Sequence, residues 1–344
     1  MIKEISIDNE DTWDFIVNSF PDYEVFYMSG YSRAFMNETP KNGIPILLYY
    51  EHGNDRAINV VQKRDIALDE KLSGKIDKSC FFDLITPYGY GGFWGDISDW
   101  DTLNKEYKRY CNENHYVCEF VRFELFSDYF KHYDGEVESR THNVVRSLSM
   151  SIDDMWMDFK QKVRKNVKKA NANGLTCIIE NTGEHLEDFL RIYYGTMDRT
   201  DAEDEYYFSE RFYGDLNGMK DNVMYFHVVY EGKIVSTELV LYGAENAYSY
   251  LGGTDRAYFD LRPNDFLKFE IIKWAKEKGL KNFVLGGGYG TDDGIYQYKL
   301  SLAPKGVYDF YIGRNIFNQE IYDMLTSLRK SDEISLNYFP LYRS

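Results

Sequence analysis

The sequence predicts an α/β chain with a mixed sheet, arranged as two similar modules in tandem. Three observations carry this reading. At 344 residues the chain exceeds the size of one ordinary hydrophobic core. The order strand, glycines, helix, strand occurs twice at similar separations. The stretch Leu261–Lys305 reads as helix, strand and glycine turn, followed by an aromatic-lysine pair entering another strand.

In the first half, Phe81 to Ile85 reads as a strand leading into Tyr88-Gly89-Tyr90-Gly91-Gly92, with a helix over about Trp100 to Asn114 and a strand over Val117 to Phe123. The junction lies near residues 143–152, where Val144 to Met150 alternates as a strand does and Ser151 with Asp154 opens a helix in the manner of a capping box. That helix carries an apolar stripe at Met155, Phe159, Val163 and Val167 and stops near Gly174. Met224–Tyr230 and Ile234–Leu241, joined by Glu231-Gly232, read as a hairpin. Ala247 to Leu251 reads as a strand ending in Gly252-Gly253. The next helix, about Asn264 to Lys278, has Pro263 at its start and Gly279 past its end, and the strand Asn282 to Leu285 opens into Gly286-Gly287-Gly288. Gln319–Arg329 reads as a final helix. The expected division is residues 1–148 and 149–344, with the tail from about 318 packing back on the first module.

The net charge of −16 excludes a chain built to coat nucleic acid, so any such contact must be local. Four scattered cysteines without a CxxC pair, and an N-terminus that does not read as a signal peptide, point to a reducing cytoplasm. No window is long and apolar enough to suggest a membrane span. The six histidines show no metal-ligand spacing, so no metal is expected. Thirty-one tyrosines suit a polar-ligand cleft, since each ring offers apolar area and a hydroxyl; they equally suit ordinary packing.

Several runs in order, ITPYGYGGFW (Ile85–Trp94), FKQKVRKNVKKANANG (Phe159–Gly174), EYYFSERFYGDL (Glu205–Leu216), LRPNDFLKFEIIKWAKEKG, LGGG and YQYKLS, resemble the Fem family. These are the peptidyltransferases of peptidoglycan cross-bridges, within the GNAT acyltransferase superfamily. The resemblance covers nearly the whole chain. It implies two GNAT-like domains in tandem, without the coiled-coil arm of some members because no heptad hairpin follows the basic helix. It implies transfer of an acyl or aminoacyl group onto an amine of a lipid-linked or nucleotide-linked cell-envelope precursor. The donor implied is aminoacyl-tRNA rather than acyl-CoA, with no bound cofactor, and peripheral membrane contact is compatible with it.

On the family motif, Lys299 after Tyr298 is the candidate catalytic cation, holding the donor's terminal phosphate or the tetrahedral oxyanion. Arg199, Tyr206, Tyr207 and Tyr250 are candidates for the acceptor, because arginine's fork and tyrosine hydroxyls suit phosphates and carboxylates. Arg199 is expected in a loop. Tyr88 and Tyr90, on a glycine loop, could flank a ligand. The basic helix, with Lys165, Lys168 and Lys169, could steer tRNA or a pyrophosphate precursor. Each also has a structural reading: a solvated strand lysine, tyrosines packed at a seam, a tight turn, a solvated helix face.

Missing motifs also count. The segment Asp255–Leu267, where an acetyl-CoA-type domain carries Arg-x-x-Gly-x-Gly, holds no glycine, and Pro263 removes an amide. The turn after Leu285 is not a dinucleotide fingerprint, since Thr291 stands where a third spaced glycine belongs. Two other readings stay open: an N-acyltransferase using acyl-CoA or a carrier-bound donor on a polysaccharide or small amine, and a non-catalytic module that binds precursor.

Overall fold

The computed structural model describes residues 1–38, 43–288, 293–330 and 334–344. In chain order the elements are β1 (Ile2–Ser6), α1 (Glu10–Asn18), α2 (Ser29–Glu38), β2 (Ile44–His52), β3 (Asp55–Asp65), β4 (Phe82–Ile85), β5 (Trp94–Asp96), α3 (Trp100–Glu113), β6 (Tyr116–Arg122) and β7 (Glu136–Ser147). They continue as α4 (Ile152–Asp158), α5 (Gln161–Ala172), β8 (Thr176–Glu180), α6 (Leu186–Thr200), α7 (Glu210–Asn217), β9 (Val223–Tyr230), β10 (Lys233–Tyr242) and β11 (Asn246–Thr254). The last are α8 (Pro263–Glu277), β12 (Asn282–Gly286), α9 (Gly294–Leu302), β13 (Val307–Ile316) and α10 (Gln319–Ser327).

The chain divides into two compact units: Met1–Arg140 with Phe310–Ser344, and Thr141–Asp309. In the first, β1, β2, β3 and β4 form an antiparallel run; β4 then pairs parallel with β6, which pairs antiparallel with β13. In the second, β8, β9, β10 and β11 form the antiparallel run; β11 pairs parallel with β12, which pairs antiparallel with β7. A helix, α3 or α8, connects the two strands of each parallel pair, as a parallel connection requires. Two helices separate the first and second strands in both units. The same order of elements is therefore built twice, and the fold is the tandem α/β one that the duplicated pattern predicts.

The local chemistry accounts for most boundaries. The Asp99 side chain accepts from Thr102 N at 3.0 Å and starts α3. Glu231 (φ 48°) and Gly232 (φ 77°) turn the β9–β10 hairpin in the left-handed region that a two-residue loop demands. In the second unit's core, Val163, Val167 and Ala170 of α5 pack with Phe266, Leu267, Ile271 and Ile272 of α8, over Val235 and Val240 of β10.

Three elements differ from the sequence reading. The helix expected from Ser151 to Gly174 is two helices, broken where Phe159 (ψ 144°) and Lys160 (ψ 145°) are extended. Lys160 N donates to Ser301 O at 2.9 Å instead, and Arg164 Nη1 donates to the free carbonyls of Met157 and Phe159 at 2.6 and 2.9 Å. Gly252 and Gly253 lie inside β11 rather than after it. A Cβ on Gly253 would meet Thr196 and come 2.9 Å from Ile192 O, so glycine lets α6 lie against the strand. The segment carrying Tyr298 and Lys299 is a helix, not a strand. Asp293 Oδ1 accepts from Ile295 N at 3.0 Å and caps it, and Tyr296, Ser301 and Leu302 are buried.

Candidate active site

The site is built where the central parallel pair of the second unit opens. β11 and β12 pair only from Asn246/Asn282 to Tyr248/Val284, although β11 continues to Thr254 and β12 to Gly286. Two irregularities sit at this point. The β10–β11 register skips Tyr250, so Ser249 and Tyr250 together oppose Val240, and the β12–β7 register skips Leu285. Bulges bend a strand and re-aim its side chains. Here they sit just beyond the last β11–β12 pair.

Lys299 stands at that opening. Its ammonium donates to Gly287 O at 2.5 Å, and a Cβ placed on Gly286, whose φ is 80°, would lie 3.3 Å from Nζ. A side chain at 286 would therefore crowd the ammonium. Lys299 is half-buried, and burial is the first cause that lowers its pKa to about 8; repulsion from Lys268 adds to it, while Glu238 and Asp293 oppose it. The Tyr298 hydroxyl is buried beside Asn264, and burial raises its pKa well above the phenol range.

Lys268 is the residue that the sequence reading passed over. It is buried within α8, and its ammonium donates to Glu238 Oε1 and Oε2 at 2.6 and 2.5 Å and to Ser249 Oγ at 2.7 Å. These three side chains come from a helix, strand β10 and strand β11. Signals existed for both charged members. Glu238 is the single acid within the otherwise apolar and hydroxylic run Ile234–Tyr242. Lys268 sits among Phe266, Leu267, Ile271 and Ile272, where a lysine on an apolar helix face would be unexpected. In the first turn of α8, Asp265 is also buried; it accepts from Asn166 Nδ2 at 3.0 Å, and burial raises its pKa.

The other sequence candidates fall in separate places. Tyr250 is the extra residue of the β11 bulge, next to Ser249. Arg199 is in the last turn of α6 rather than in a loop, because the helix continues to Thr200; Nη1 donates to Thr254 O at 3.3 Å, and the guanidinium lies 5.1 Å from the Phe259 ring centre. Tyr206 and Tyr207 follow it; the Tyr207 hydroxyl donates to Asp198 Oδ1 at 2.8 Å and its ring stacks on Tyr194. Lys165, Lys168 and Lys169 are exposed on α5, and no ion pair to them occurs among the described residues. Tyr88 and Tyr90 belong to the first unit. Tyr88 is exposed, with its carbonyl accepting from Tyr31 at 2.6 Å, and Tyr90 packs edge-on against Phe26 and Phe310. A Cβ on Gly89 would lie 2.6 Å from Phe26, so packing alone accounts for that glycine. Tyr289, Gly290 and Thr291 lie outside the described residues.

Two open cavities lie elsewhere. One of about 640 Å³ in the first unit is lined by Lys63, Arg64, Asp65 and Arg343, and one of about 510 Å³ in the second by His185, Asp188, Arg191 and Lys233. Among the described residues no group of three His, Cys, Asp or Glu could hold a metal ion, and no helix is long and apolar enough to cross a membrane.

Residues 157–300 match the family model described as acetyltransferase (GNAT) domain, a span that contains β11, β12, Lys268 and Lys299. A lipid II:glycine glycyltransferase of Staphylococcus epidermidis is 26% identical over 105 residues, covering 29% of this chain and 25% of that protein. The resemblance to the Fem family holds. A second glycyltransferase of that name, from Staphylococcus haemolyticus, is 25% identical over 104 residues, covering 28% of this chain and 25% of its own. The matched segment thus spans a quarter of the length of these glycyltransferases. Over the whole fold, the crystal structure of FemX superposes with a TM-score of 0.70 at 14% identity, covering 94% of this chain and 99% of that one. The structure of L-PGS from Bacillus licheniformis superposes at 0.56 and 12% identity, covering 90% and 92%.

Proposed function

We propose that this Fem-like protein is an acyltransferase that moves an amino-acid group from aminoacyl-tRNA onto an amine of a lipid-linked or nucleotide-linked peptidoglycan precursor. The observation that carries the reading is Lys299: a half-buried ammonium at the opened end of the central parallel pair, inside the segment that matches the GNAT domain. The partial similarity to lipid II:glycine glycyltransferases supports the choice of substrates.

In the reaction the acceptor amine attacks the ester carbonyl, negative charge gathers on the carbonyl oxygen, and the ester C–O bond breaks with departure of the tRNA ribose oxygen. Lys299 would face that oxygen or the adjacent terminal phosphate. Held against Gly287 O and half-buried, its charge is less screened than in water and needs little reorganisation as the oxyanion forms. Tyr250 and Tyr298 would line the acceptor's approach. Arg199, Tyr206 and Tyr207, grouped near the end of β11, would grip the precursor's anionic part. Lys165, Lys168 and Lys169 would draw in the tRNA against a net charge of −16. The first turn of α8 favours tRNA over coenzyme A, because Pro263 lacks an amide donor and Asp265 puts a carboxyl group where a pyrophosphate would need amides.

The test is the mass increment on a muropeptide precursor incubated with the protein and a charged tRNA pool, in parallel with an acyl-CoA pool. An aminoacyl increment that is lost in Lys299→Ala is expected. An increment from acyl-CoA alone, or none from either pool, overturns the proposal.

A further inference from the structure

In the first unit, the end of the β4–β6 pair that corresponds to the Lys299 site lies past Ile85 and Phe120. The cavity of about 640 Å³ lies toward the other end of β4, where Phe82 starts the strand, beside Lys63, Arg64 and Asp65 of β3. No step of the transferase reading uses it.

Two guanidinium groups that line this cavity are tied to one fully buried carboxylate, Asp83. Arg64 Nε donates to Asp83 Oδ1 and Arg343 Nε to Asp83 Oδ2, each at 2.6 Å, and the Tyr342 hydroxyl donates to Oδ2 at 2.9 Å. Arg343 Nη1 donates to Asp69 Oδ2 at 3.0 Å. Both forks are thus fixed with donors left over. Neither Nη group of Arg64 has a hydrogen-bond partner among the described residues. The Arg343 side chain is more than nine-tenths buried, and its Nη2 is buried without a partner. Lys63 adds an ammonium 4.4 Å from the Phe82 ring centre, with no ion pair among the described residues. The acids beside them are committed. The Asp65 oxygens accept from Ala67 N and Ser79 N at 3.0 and 2.9 Å, and Asp69 Oδ1 accepts from Lys71 N at 3.0 Å. The Lys71 ammonium is taken up by the carbonyls of Arg343 and Ser344 at 3.1 and 2.5 Å. Formal charges around the cavity nearly balance, so the uncommitted donors set its preference. A buried donor without an acceptor is costly and marks a place where a ligand atom or ion belongs.

We propose that this cavity binds a phosphate monoester of mononucleotide size. Arg64, Arg343 and Lys63 hold its phosphate, and its apolar body lies on Met36, Leu68 and Tyr338. Arginine forks match phosphate oxygens edge to edge. Two forks and an ammonium exceed what a carboxylate's two oxygens need and suit the three terminal oxygens of a phosphate. The volume is that of a small-molecule site. The proposal stands whether or not the transferase reading does.

Isothermal titration of the full-length protein with AMP, inorganic phosphate and adenosine at low salt tests it. AMP should bind, phosphate should bind more weakly, and adenosine should not bind. Arg64→Lys keeps a charge opposite Asp83 but loses the fork, and should weaken AMP binding about tenfold. Lys63→Met removes an ammonium that makes no ion pair among the described residues; it should weaken AMP binding by a similar factor with an unchanged melting temperature, and it keeps the test available if Arg64→Lys fails to fold. AMP binding no tighter than phosphate, adenosine binding as tight as AMP, or no binding of any probe overturns the proposal. So does an AMP affinity that stays unchanged in Lys63→Met or in folded Arg64→Lys.

Discussion

Replacing Lys299 by methionine should stabilise the protein while abolishing transfer. The Lys299 pKa falls from 10.5 to about 8 on folding, because burial and Lys268 both disfavour its charge. Below pH 8 the ammonium is charged in both states, and the folded state bears the full penalty, about 3 kcal/mol at ~1.4 kcal/mol per unit. Between pH 8 and pH 10.5 the unfolded chain binds more protons than the folded one, so this contribution makes wild-type stability rise with pH. Methionine fills similar volume without charge but gives up the hydrogen bond to Gly287 O, worth about 1 kcal/mol. The expected net gain is about 2 kcal/mol at pH 7, shrinking toward zero or below by pH 10.5. Urea denaturation of both proteins at pH 7, 8.5 and 10 reads the difference, in which the other titrating groups cancel. Parallel dependence of the two stabilities on pH would refute the argument, as would a methionine variant less stable than wild type at pH 7.

Glu119 on β6 makes the opposite prediction about pH. It is buried, its Oε2 accepts from the Tyr107 hydroxyl at 2.6 Å, and burial pushes its carboxyl up to about 7. Between pH 4.5 and pH 7 the folded state binds the extra proton, so stability falls with rising pH; Glu119→Gln should gain up to about 3 kcal/mol at pH 8 and nothing at pH 4.5 in thermal or urea melts. Changing Lys165, Lys168 and Lys169 together to glutamate should weaken tRNA binding at least tenfold and lower the salt slope of log Kd by about 2 to 3, with the melting temperature within a few degrees because all three are exposed. Equal filter-binding isotherms for the two proteins would remove α5 from the donor site.

Much of the fold was legible because it rests on local chemistry. Pro263 and Gly279 mark α8, Glu231-Gly232 marks a hairpin, and the buried run Asn282–Leu285 marks a central strand. Repetition of such signals disclosed the tandem design. The failures have one cause. Tyr296–Leu302 alternates like a strand over a short window, and the Asp293 cap that starts the helix lies outside that window. Phe159 and Lys160 continue an apolar helical stripe, yet Lys160 N finds its partner at Ser301, far along the chain. Gly252 and Gly253 announce a turn in isolation, whereas the approach of α6 requires them within a strand.

The sequence by itself determined the order of elements, the duplication, the acidic background with one basic helix, and Lys299 as the residue to examine. Tertiary structure alone decided what surrounds Lys299. The β11–β12 pairing ends beside bulges at Tyr250 and Leu285 that shift two neighbouring registers, and a register is a property of strand partners rather than of one strand. Lys268 reaches Glu238 thirty residues away only after α8 packs across β10 and β11. Charge and burial at a point are sums over every neighbour in space, and a linear pattern records only the neighbours along the chain.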